Sequence, residues 1–92
     1  MKTIEFVPPQ AQDIVEIVHD AVVIGSNINQ VYKEKPEPAH RLYANDLKIQ
    51  HSRQLALEVE QLIRNGYSYY EAILYAIENR WDEKLIQAHN QQ

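Results

Sequence analysis

Apolar and polar positions along the chain alternate with helical rather than strand periodicity. In Ile14-Val15-Glu16-Ile17-Val18-His19-Asp20-Ala21-Val22-Val23-Ile24 most side chains are apolar. The polar ones, Glu16, His19, Asp20, Ser26 with Asn27, and Gln30, return at intervals of three to four and form one narrow strip. That recurrence predicts a helix over residues 9–33, with Pro9 in its first turn. The β-branched run Val22-Val23-Ile24 makes a strand the competing reading. Gly25-Ser26 is a candidate kink or end. Before Pro8-Pro9, residues 1–8 alternate loosely around Ile4 and Phe6 and read as a short extended arm.

Pro36 and Pro38 stiffen residues 34–40 into a linker, because proline removes a helical donor and restricts the residue before it. A second helix is expected over residues 38–65. Leu42, Ile49, Ala56 and Ile63 recur every seven residues, and Leu55, Val59 and Leu62 widen the stripe near its end. The segment from Asn45 to Gln54 is polar and is the place where this helix would break. Asn65-Gly66 closes it, since glycine accepts the left-handed conformation common at helix ends. Ser68-Tyr69-Tyr70-Glu71 has the form of a capping box and opens a third helix over 68–90. Tyr70, Ile73, Leu74, Ile77, Trp81, Leu85 and Ala88 form its apolar stripe. The fold expected is a single all-α domain over residues 1–92. It has three helices, a C-terminal antiparallel hairpin and an extended N-terminal arm.

Composition narrows the function classes. The chain has 92 residues, 45% hydrophobic, and no cysteine, so disulfides and Cys-ligated zinc are excluded. No basic start followed by an apolar segment marks a signal peptide, and no apolar run approaches membrane-spanning length. A cytoplasmic protein is expected. The net charge of −4, without a basic block, disfavours nucleic-acid binding.

Catalytic chemistry finds little support. Glu16/His19 and Glu37/His40 have the Glu-x-x-His spacing that di-iron helical proteins use on two helices. Pro38 splits the second pair, and the first lies in a strip that solvent alone explains. His51 and His89 lack partners at ligand spacing. Ser26, Ser52 and Ser68 sit in no nucleophile motif, and two glycines make no phosphate-cradling loop. No enzyme activity, metal or cofactor is expected.

The aromatic cluster is more informative. Tyr67, Tyr69, Tyr70, Tyr75 and Trp81 fall within fifteen residues. Tyrosine and tryptophan are enriched at binding hot spots, because they bury large areas while keeping a polar tip. Tyr69, Tyr70, Tyr75 and Trp81 are therefore the candidate partner-binding residues. The competing reading packs them inside the same chain, with Tyr70 and Trp81 fitting the core stripe. The first helix, apolar round most of its girth, needs more cover than three helices provide, which points to a homo-oligomer.

Leu57-Glu58-Val59-Glu60-Gln61-Leu62-Ile63, Tyr67-Ser68-Tyr69-Tyr70-Glu71-Ala72-Ile73 and Glu78-Asn79 together resemble the helical core of the late-transcription coactivator family of large tailed phages. The resemblance covers roughly residues 55–86, about a third of the chain. It implies docking on host RNA polymerase through the helical core. It does not extend to the family's contact with the sliding clamp, because His89-Asn90-Gln91-Gln92 is no acidic, hydrophobic tail. The same stretch also resembles the helices of ribbon-helix-helix antitoxins. Asp46-Leu47-Lys48-Ile49-Gln50-His51-Ser52 alternates only in part and lacks the arginines that read a major groove.

The leading expectation is a small non-catalytic regulatory protein that docks a Tyr-rich helical surface on a larger assembly, RNA polymerase being the partner that the resemblance implies. A second expectation is a ligand-sequestering or sensing homo-oligomer, such as a phage anti-defence protein, with Arg41, Tyr43, Lys48 and Arg53 lining pockets. A DNA-binding antitoxin is the third.

Overall fold

The computed structural model describes residues 9–35, 41 and 45–90, with side chains from Asp13 onward. The arm over residues 1–8, Pro36 to His40, Tyr43 and the last two residues lie outside the described residues. Among the described residues four helices follow in order: α1 (Pro9–Glu34), α2 (Leu47–Arg64), α3 (Tyr69–Glu78) and α4 (Trp81–Asn90). The fold is all-α.

α1 runs unbroken through Gly25 despite its β-branched run. Packing decides this against the strand preference: Val18, Ala21, Val22, Gly25 and Tyr32 fall on one helical face and are buried. Gly25 is not a kink. It lies against the backbone of α2, and a Cβ there would overlap the Ser52 carbonyl oxygen. The two long helices cross antiparallel at this point. Around the crossing, Asn29 Nδ2 donates to the Arg53 carbonyl oxygen at 3.2 Å, and Arg53 Nε donates to Asn29 Oδ1 at 2.7 Å. The Arg53 guanidinium lies 3.7 Å from the centre of the Tyr32 ring, a cation–π contact.

Two expected boundaries move. The second helix is not continuous from residue 38 to 65. Asn45 lies in a turn and Asp46 is extended (φ −94°, ψ 100°), its Oδ1 accepting from Ile49 N–H at 3.1 Å. A carboxylate in that position satisfies a donor that the first helical turn cannot, so α2 starts there. The third helix, expected as one element over 68–90, is two. Asn79 caps α3, and Arg80 takes a left-handed conformation, φ 65°. The chain then restarts at Trp81, which lets α4 pack on α1, α2 and α3.

The core joins these four helices: Val18, Ala21 and Val22 with Leu55 and Val59, Ala72, Ile73 and Ala76, and Trp81 with Leu85. Leu55, Ile73 and Leu85 are almost wholly buried. Each contributes about 2–3 kcal/mol by burial. No helix among the described residues is long and apolar enough to cross a membrane.

Candidate functional site

The site is built on the turn between α2 and α3. Gly66 N–H donates to the Ile63 carbonyl at 3.0 Å, and Tyr67 N–H donates to the Leu62 carbonyl at 3.1 Å. This pairing closes a helix around a left-handed residue, and Gly66 has φ 103°. One residue later the capping box forms as the sequence indicates. Glu71 N–H donates to Ser68 Oγ at 3.1 Å, and Ser68 N–H donates to Glu71 Oε1 at 2.8 Å. Those bonds hold the Glu71 carboxyl below its ordinary range, the Ser68 backbone N–H contributing most. Glu71 is therefore a carboxylate at neutral pH.

Two caps in four residues fix the direction in which α3 leaves. Ala72, Ile73 and Ala76 face inward. Alanines at that spacing let α3 sit close to the core, and Leu74, read from the sequence as part of the buried stripe, faces out instead. Tyr67 and Tyr75 are both 44% exposed, with ring centres 6.2 Å apart and planes at 63°, edge to face. With Leu74 they line a shallow groove of about 250 Å³ whose remaining walls are Glu71 and Glu78. The groove thus presents electron-rich ring faces beside carboxylates.

The candidate binding residues divide. Tyr75 lies on this surface. Tyr69 is 38% exposed, but its hydroxyl is hydrogen-bonded to His19 Nδ1, with the two rings perpendicular at 5.6 Å. Burial, followed by the negative charge of Asp20, raises the Tyr69 pKa above its usual value. Tyr69 therefore ties α3 to α1. Tyr70 is half-buried, and its hydroxyl is enclosed without a hydrogen-bond partner among the described residues. Trp81 is a core residue, 6% exposed, packed edge-on to His51 and covered by Lys84 Nζ at 4.5 Å. It lies in the core, as its place in the apolar stripe suggests, and not on the exposed face of the hairpin. Tyr67 was part of the aromatic cluster but not among the candidates. The signal for it was Gly66, which returns the chain and brings residue 67 beside residue 75.

The anticipated ligand pocket is not assembled as one site. Arg53 lines a cleft of about 350 Å³ with Asn29, Tyr32 and Lys33. Its guanidinium is already engaged by Asn29, Tyr32 and, at 3.3 Å, Gln50 Oε1. Lys48 lines a different cleft of about 230 Å³, with Ile17, Asp20, Ile24, Ile86 and His89. Arg41 is exposed, and Tyr43 lies outside the described residues. Glu16 and His19 are exposed on α1, and no three His, Asp or Glu side chains among the described residues could together hold a metal ion. Glu37 and His40 lie outside the described residues.

No family model, curated protein or solved structure matches the chain.

Proposed function

We propose that this is a non-catalytic interaction protein that docks the Tyr67–Leu74–Tyr75 face of its α2–α3 hairpin on a larger assembly. The observation that carries the reading is the exposed edge-to-face pair of Tyr67 and Tyr75, bordered by Glu71 and Glu78. The core closes without these rings, so their exposure costs hydration that a partner would recover. Rings beside carboxylates favour a cation with apolar flanks, through cation–π attraction and charge. The partner segment therefore combines lysine or arginine with apolar residues. The resemblance of residues 55–86 to phage late-transcription coactivators makes RNA polymerase the first partner to try, in the cytoplasm of an infected cell.

A photo-reactive phenylalanine analogue at position 75, compared with the same group at the exposed Leu57 on α2, tests this in cells of the native source. Crosslinks specific to position 75, mapping to a segment with lysine or arginine among apolar residues, support the reading. Identical products from both positions, or crosslinks only to other copies of this chain, overturn it.

The sequestering homo-oligomer keeps one supporting observation, the exposed apolar flank of α1 at Ile17, Ile24 and Val31.

A further inference from the structure

α1 carries two apolar faces. One, centred on Val18 and Gly25, is spent on α2. The other lies roughly a quarter-turn away. Ile14, Ile17, Ile24, Ile28 and Val31, with the buried Ala21 at their margin, follow one another at alternating steps of three and four. That is a heptad seam, the spacing with which one helix meets another over several turns. Ile17, Ile24 and Val31 remain 36%, 42% and 42% exposed. Ile14 and Ile28 are half-buried. Beside this ridge, α4 adds the exposed Ile86, and the cleft lined by Ile17, Ala21, Ile24 and Ile86 opens on the same side. Ridge and cleft share one surface, as a two-fold contact requires.

Charge selects the occupant and its direction. Asp13, Glu16 and Asp20 occupy the first half of α1, while Lys33 and Lys35 stand at its end on either side of Glu34, which accepts from Gln30 Nε2 at 3.0 Å. Asp13 and Lys35 are exposed, and neither has an ion-pair partner among the described residues. Two parallel copies would set each acid against itself. Two antiparallel copies centred on Ile24 set residue 17 against 31 and residue 13 against 35. Isoleucine then meets valine, and aspartate meets lysine at both ends. Antiparallel helix dipoles add to the preference.

We propose that a second copy of this chain covers the Ile17–Ile24–Val31 flank, forming an antiparallel α1–α1 homodimer with Ile24 on its two-fold axis. The Tyr67–Tyr75 surface belongs to another helix, so this interface and the docking surface stand or fall separately.

The absence of cysteine makes the test clean. Full-length Ile17→Cys and Val31→Cys proteins are mixed and mildly oxidised. The antiparallel dimer predicts 17–31 heterodisulfides in excess of both homodisulfides. In sedimentation equilibrium the wild type is a dimer, and Ile24→Glu raises the dissociation constant by about a hundredfold or more with unchanged helical circular dichroism. Asp13→Lys weakens the dimer and Asp13→Lys/Lys35→Asp restores it. A wild type still monomeric at about 100 µM overturns the proposal. So does a dimer indifferent to Ile24→Glu, a predominance of 17–17 and 31–31 disulfides, or a dimer strengthened by Asp13→Lys.

Discussion

Gly25 of α1 and Ser52 of α2 touch through their backbones. A methyl group at residue 25 would have to occupy the place of the Ser52 carbonyl oxygen. The contact sets how close the two long helices lie, and the Asn29–Arg53 bonds and the Arg53–Tyr32 stacking depend on that spacing.

Gly25→Ala therefore tests the crossing by its sign. In an open helix the change stabilises by about 0.5–1 kcal/mol. Here the obstacle is backbone, which cannot rotate away. The overlap costs about 3 kcal/mol or more, which outweighs the gain in propensity. Thermal denaturation should show a melting temperature lower by at least about 10 °C. An unchanged or raised melting temperature would mean that the helices do not cross so closely.

Tyr70→Phe should stabilise. The Tyr70 hydroxyl is buried without a partner among the described residues, and removing such a group recovers about 1 kcal/mol of desolvation. The melting temperature should rise by a few degrees, about 4–8 °C per kcal/mol for a domain of this size. A fall would show that the hydroxyl makes a bond in solution.

Two pH limbs are expected. Tyr69 has a raised pKa in the folded state, so its contribution is complete below its unfolded value of 10.0 and is lost as pH rises through the folded value. Wild type should lose stability at alkaline pH more steeply than Tyr69→Phe. Glu71 has a lowered pKa, so its contribution is present above its unfolded value of 4.5 and is lost as pH falls through the folded value. Ser68→Ala removes the cap, costs about 1 kcal/mol near neutrality and flattens the acid limb. Denaturant midpoints measured across both limbs check the pair. Parallel curves for variant and wild type would contradict the assignments.

What the sequence disclosed was local. Ser68 and Glu71 lie three residues apart and Gly66 just ahead of them, so the caps of the hairpin could be read from neighbouring residues alone. The Asp46 cap also acts over three residues, but Ile49 in the place of a glutamate leaves it with half the usual signature. Arg80 gives no signal at all. Neither glycine nor proline marks the turn, and a left-handed arginine persists because Trp81 and Leu85 pack once the chain has turned. Gly25 was visible as an oddity in a helix, yet its cause, Ser52, lies 27 residues away (52 minus 25). The proposed docking surface was half legible for the same reason. Tyr75 faces out as its helical position suggests and Trp81 is buried as its place in the apolar stripe suggests, whereas exposing Leu74 depends on how Ala72 and Ala76 seat α3.

The docking claim is tested most directly by the affinity of Tyr67→Ala/Tyr75→Ala for the partner mapped by crosslinking, measured by isothermal titration alongside wild type. Two exposed aromatic anchors, each carrying about 1–2 kcal/mol, predict a loss of about a hundredfold with the helical circular-dichroism signal intact. Wild-type affinity in the double variant would contradict the account.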